Sequence, residues 1–190
     1  MRRQLKIAII FLVVFTVITG IIYPLLVTGI AQAFFNHQAN GSLIENNGQA
    51  AGSELIGQPF SDPIYFWGRL SATSSVPYDA SASSGSNYGP DNPALLQAVQ
   101  DRIDALKAVD PNNVQPVPVD LVTFSGSGLD PDISVAAADY QIARVARYRG
   151  LTEERVSTLV KQYTEGRQLG ILGEPKVNVL KLNLALDNIQ

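Results

Sequence analysis

The chain has 190 residues, enough for one ordinary domain, with 46% hydrophobic and only 16% charged residues; a soluble domain carries about 25% charged, so the composition argues against a purely soluble protein. Its formal net charge is −3, with 14 basic against 17 acidic residues, which disfavours a nucleic-acid binder. It has no cysteine and one histidine, His37, which excludes disulfide frameworks, thiol nucleophiles, zinc–thiolate centres and multi-histidine metal sites.

The first element in chain order is an apolar run from Ile7 to Ala31 without a charged residue. As a helix it rises roughly 37 Å, against about 30 Å of bilayer hydrocarbon. Arg2, Arg3 and Lys6 precede it, and no Lys or Arg follows before Arg69. The positive-inside rule therefore places the N-terminus in the cytoplasm and the rest of the chain outside. Ala31-Gln32-Ala33 has the form of a signal-peptidase site, but secretory apolar cores run about 7–15 residues, so a retained single-pass anchor is expected. Thr16, Gly20, Tyr23 and Pro24 lie along one side of a regular helix and form a candidate surface for packing on other membrane helices. Pro24 should kink or weaken the helix. This divides the chain into a cytoplasmic N-terminus (1–6), a transmembrane helix (7–31), a tether into the domain (32–58) and an external α+β domain (59–190).

Arg2, Arg3 and Lys6 are the sole charges before Glu45, leaving 11 basic and 17 acidic residues beyond the anchor, a net −6. Residues 36–58, rich in Asn, Gly, Ser and Gln, read as a loosely structured tether. Ile64 to Trp67 is an aromatic run suited to a strand or a buried corner. Residues 71–92 are too long and polar for a simple connection and suggest an interaction loop. Asn92 and Pro93 open a helix, with Leu95, Val99, Ile103 and Leu106 on one face. Val119–Phe124 is predicted as a strand, followed by a Gly/Ser turn. A second helix should run from Ser134 to Gly150 and a third from Thr152 to about Tyr163. Residues 166–175 read as a structured loop. The stretch 178–187 alternates Leu like a strand, but its Asn178 cap and Leu/Ala content favour a helix.

Catalytic readings find little support. His37 stands just beyond the membrane segment, away from the domain a Ser-His-Asp triad would need. The turn Ser125-Gly126-Ser127-Gly128 lacks the following Lys of a P-loop and reads first as a tight turn; with Asp130 it is retained as a candidate nucleotide turn or external interface. Asp130 and Asp132 could ligate a hard cation, but helix capping is the simpler reading. No catalytic residue and no metal site is expected. The residues alone lead to a single-pass membrane protein with an external α+β domain in a binding or accessory role, including an exported module that binds a solute or nucleotide.

Several segments together resemble the KdpC family, one of the subunit families of the bacterial high-affinity potassium-transporting P-type ATPase. They are Leu55-Ile56-Gly57-Gln58 with Phe60, Tyr65 to Arg69 with Ser71-Ala72, Ser84 to Pro90 with Asn92 to Leu95, Asp120 to Pro131, Arg144-Val145-Ala146, Thr164 to Gly170, Leu172 to Pro175 and Val177 to Leu180. The resemblance covers nearly the whole chain in order. Three positions depart from the family pattern, with Asp132 and Tyr163 where it has His and Val135 where it has Pro, so no histidine role is carried over to them. Lys176 stands where Arg is usual, keeping the charge without the bidentate fork.

The resemblance implies a non-catalytic accessory subunit in the bacterial inner membrane. Its partners would be a potassium-channel-like subunit, a P-type ATPase subunit and a very small membrane subunit, besides lipid. It also implies support of assembly and a catalytic-chaperone role that raises the ATP affinity of the ATPase subunit. No covalently bound cofactor is implied, and ATP enters only through the complex.

Overall fold

The computed structural model describes residues 1–46 and 48–189. The chain forms two compact units, residues 1–43 and 44–190.

The first unit is a long apolar helix. Helix α1 (Arg2–Val17) passes through a π-helical turn (Ile18–Ile22) into α2 (Tyr23–Phe34). The 33 residues are long and apolar enough to cross a membrane, and none is buried. The wide turn is where the expected effect of Pro24 appears. Proline cannot donate to the carbonyl four residues back, and its ring crowds that carbonyl. Here the preceding turn opens instead, with the Tyr23 N–H donating to Ile18 O, five residues back. Thr19 Oγ1 also donates to Phe15 O at 2.7 Å. Side-chain amides of Gln32, Asn36 and Asn40 interlock where the helix passes into α3 (Asn36–Ala39).

The second unit mixes helix and strand. Strands β1 (Leu43–Asn46) and β2 (Gln49–Ser53) pair as a two-stranded sheet, so the segment read as a tether carries regular structure. It is held to later parts of the chain by Asn178 Nδ2 donating to Glu54 O at 2.8 Å and by an ion pair from Lys181 to Glu54. A second sheet has the order β3 (Asp132–Ser134), β5 (Lys176–Asn178), β4 (Thr164–Glu165), antiparallel throughout, with Ile133 and Thr164 both opposite Val177.

Among the described residues, five helices complete the unit: α4 (Pro93–Val109), α5 (Val119–Val122), α6 (Val135–Arg149), α7 (Glu153–Gln162) and α8 (Val179–Asp187). Their starts follow capping chemistry. Asn92, Ser134, Thr152 and Asn178 each accept a backbone N–H from the first turn of the helix they open, a contribution of about 1 kcal/mol each. Helix α6 ends at Gly150, φ 66°, with Leu151 N–H on Ala146 O and Gly150 N–H on Arg147 O. That pair of bonds is the glycine stop expected there.

One local expectation is corrected here. Val119–Phe124 is not a strand: its first four residues form α5, with Pro118 as N-cap, and only Phe124 makes an isolated bridge, to Leu70. Of the two readings open for Ile64–Trp67, the structure shows the buried corner, with Phe66 0% and Trp67 5% exposed. The core around it is built from Leu106, Leu121, Ile133, Val145, Val156, Val177, Leu182 and Leu186. Each such aliphatic side chain is worth about 1.5–3 kcal/mol when fully buried.

Candidate functional site

The corner is held by side chains in place of a sheet ladder. Asn183 Oδ1 accepts the Phe66 N–H at 2.9 Å and its Nδ2 donates to Phe66 O at 3.0 Å. Gln141 repeats the arrangement on Trp67, accepting its N–H at 2.8 Å and donating to its carbonyl at 3.2 Å. The Arg144 guanidinium, 1% exposed, donates to Pro63 O, Tyr65 O and Gln141 Oε1. Arg144 and Arg102 both stand over the Trp67 indole, 5.1 and 4.8 Å from its centroid. Burial pushes Arg144 down to about 10, partly opposed by Asp110, and also lowers Arg102. Gln141 and Asn183 were not among the residues the sequence pointed to. A signal existed: Ala137, Gln141, Arg144 and Val145 share one stripe of α6, and a polar residue on an apolar stripe must find a partner.

Beside this corner the chain 68–90 meets the turn 125–130. Tyr78, at φ 62°, donates from its hydroxyl to Arg69 O, and its N–H donates to Ser71 Oγ at 2.9 Å. Its ring fills the space that a Cβ on Gly57 would enter, and its hydroxyl the space beside Gly68. The long polar loop is therefore pinned rather than free. A cavity of about 220 Å³ opens here, lined by Phe60, Gly68, Arg69, Tyr78 and Arg102.

Each member of the Ser125–Asp130 candidate set has a structural task. Ser125 N–H donates to Leu70 O at 3.0 Å, and Gly128 N–H donates to Ser125 O at 3.3 Å. Ser127 O accepts from Ser84 N–H at 2.9 Å and from Ser83 Oγ at 3.0 Å, while Ser127 Oγ accepts the Leu129 N–H at 3.1 Å. Gly126 lies over Gly85, where a Cβ would stand 2.8 Å from the Gly126 carbonyl. Gly128, at φ 71°, accepts from Ser71 Oγ at 2.7 Å, and a Cβ there would stand 2.5 Å from Ser84 O. Asp130 pairs with Arg69 at 2.9 Å and accepts the Asp132 N–H at 3.0 Å. A phosphate cradle needs backbone N–H groups converging on one point; the donors of Ser125, Gly128 and Leu129 are spent within the chain. The turn works as a seam.

The aspartates do not cap a helix as expected. Asp132 pairs with Lys176, and it is Ser134 that opens α6, with Asp120 accepting from Ser134 N–H at 2.7 Å and from its hydroxyl at 3.0 Å. Among the described residues, no three His, Cys, Asp or Glu side chains are grouped to hold a metal ion. Two buried side-chain atoms among them lack a hydrogen-bond partner, Arg69 Nε and Ser125 Oγ. Both sit beside the Leu70–Phe124 bridge, and each unmade bond costs about 1–3 kcal/mol.

In the apolar helix, Thr16 lies before the π turn, Gly20 within it, and Tyr23 and Pro24 after it. A π turn inserts one residue and offsets the downstream faces by about 100°. Thr16 and Tyr23 therefore do not share the straight line that a regular helix would give.

Comparison with known proteins adds an independent line. The family model described as "K+-transporting ATPase, c chain" matches residues 5–188. The "Potassium-transporting ATPase KdpC subunit" of Herpetosiphon aurantiacus is 65% identical over 190 residues, covering 100% of this chain and 98% of the relative. Its counterpart in Methylococcus capsulatus is 64% identical, with both chains covered in full. The Sorangium cellulosum protein is 62% identical over 187 residues, 98% of each chain. With the match running through both the apolar helix and the α+β unit, this chain belongs to the family of K+-transporting ATPase c chains.

Proposed function

We propose that this chain is the non-catalytic accessory subunit of an ATP-driven, high-affinity potassium uptake pump in the bacterial inner membrane. Its partners are the pump's potassium-channel-like subunit, its P-type ATPase subunit and a very small membrane subunit. One observation carries the reading: family membership extends over residues 5–188, helix and domain alike. Arg2, Arg3 and Lys6 before the apolar helix orient it with the N-terminus inside, so the α+β unit faces outward.

In this reading the chain supports assembly and raises the ATP affinity of the ATPase subunit without touching ATP. The spent donors of Ser125, Gly128 and Leu129 support that route. Contacts made by the membrane helix or the outer unit that differ between two pump conformations shift the balance between them. A tenfold change in ATP affinity requires only about 1.4 kcal/mol of such difference. The test is the ATPase activity of the purified pump with and without this chain. The KM for ATP should rise several-fold without it, and an unchanged KM would remove the chaperone role.

A further inference from the structure

Strands β4 and β5 are joined by residues 166–175, and this connection ends in a rigid apolar tip. Gln168 N–H donates to Leu172 O at 2.8 Å and Leu172 N–H returns to Gln168 O at 2.9 Å. Gly170 N–H donates to Arg167 O at 3.1 Å, and Ile171 N–H to Gln168 O at 3.2 Å. At the base, Arg167 Nη2 donates to both carboxylate oxygens of Glu174, at 2.8 and 2.7 Å. On this frame Leu169, Ile171 and Leu172 are 89%, 75% and 54% exposed.

Leu169 has a positive φ of 54°, a conformation in which Gly, Asn or Asp is the usual occupant and a bulky residue an outlier. The fold gains nothing from a leucine there, since its side chain meets solvent. Strain and exposed apolar surface at one residue point to a contact made outside the chain.

The charges decide what that contact is. Leu169 to Leu172 includes no Lys, Arg, Trp or Tyr, the residues that hold a protein surface to an anionic bilayer. Arg167 is neutralised by Glu174, and the chain beyond the anchor carries a net −6, which an anionic leaflet repels. We propose that Leu169, Ile171 and Leu172 form a docking knob that inserts into an apolar pocket on another protein subunit of the potassium pump. This rests on the accessory-subunit reading above.

The test uses the complete pump, with this chain tagged and a photoactivatable diazirine amino acid in place of Leu169. Illumination should cross-link the chain to another pump subunit. Cross-links to lipid, to a second copy of this chain, or to nothing would each overturn the docking proposal. Recovery of the pump on the tagged wild-type chain is scored separately: if it fails, the accessory reading falls as well. A second variant, Leu169→Asn, suits the left-handed backbone better. It should leave the thermal midpoint of the full chain unchanged or higher while lowering recovery of the other subunits about tenfold or more. A lower midpoint with undiminished recovery would make the leucine structural and overturn the proposal.

Discussion

Arg144 shows how much one side chain carries in this protein. It is a buried cation whose donors satisfy Pro63 O, Tyr65 O and Gln141 Oε1. Arg144→Ala would leave these acceptors unpaired and open a cavity, so it should cost about 3–5 kcal/mol in chemical unfolding of the full chain. Asn183→Leu should cost about 2–4 kcal/mol by releasing both polar groups of Phe66. Other residues bear on stability at high pH. Hydrogen bonding to Asp132 is the main cause that raises Lys176 above its ordinary 10.5, and hydrogen bonding to Glu54 does the same for Lys181. A lysine with a raised folded value gives its full stabilisation below about 10.5 and loses it as pH rises through that raised value. Lys176→Met should therefore lower the thermal midpoint at pH 7, and its difference from wild type should shrink as pH rises through the raised Lys176 value. Burial also raises Tyr78, which adds to the loss of stability at high pH.

At the scale of elements, the helices were legible because their ends are written in local chemistry: Asn92-Pro93, Ser134, Gly150, Thr152 and Asn178 all act where the sequence placed them. Two segments show what local pattern leaves out. Val119–Phe124 has strand-like composition, but Phe124 alone meets another chain segment as a bridge. Within Ile64–Trp67, the backbone of Phe66 and Trp67 has its partners on Asn183 and Gln141, more than 70 residues away in sequence. The Gly/Ser turn was located correctly, but its role depends on Ser71, Ser83 and Ser84 closing over it, which spacing does not reveal. Gly128→Ala combines a left-handed backbone with overlap against Ser84 O and should cost at least about 2 kcal/mol by denaturant midpoint. Gly89→Ala, with nothing within 4 Å of its added Cβ, should change that midpoint little.

At the scale of the whole molecule, charge and hydropathy divide the chain into parts suited to different surroundings. The bases Arg2, Arg3 and Lys6 stand before an apolar helix, and an acidic α+β unit follows it. In the proposed reading the α+β unit faces outward while ATP is hydrolysed in the cytoplasm, so the unit would act on it only through conformational coupling across the membrane. The chain has no cysteine, and Ser74 is exposed, so Ser74→Cys gives a single reporter on the α+β unit. Labelling it in intact cells with a membrane-impermeant thiol reagent is the most direct measurement. Modification without lysis is the expected result and agrees with an outward unit acting at a distance from ATP. Modification only after lysis would contradict the orientation and, with it, the account of how this protein reaches the pump.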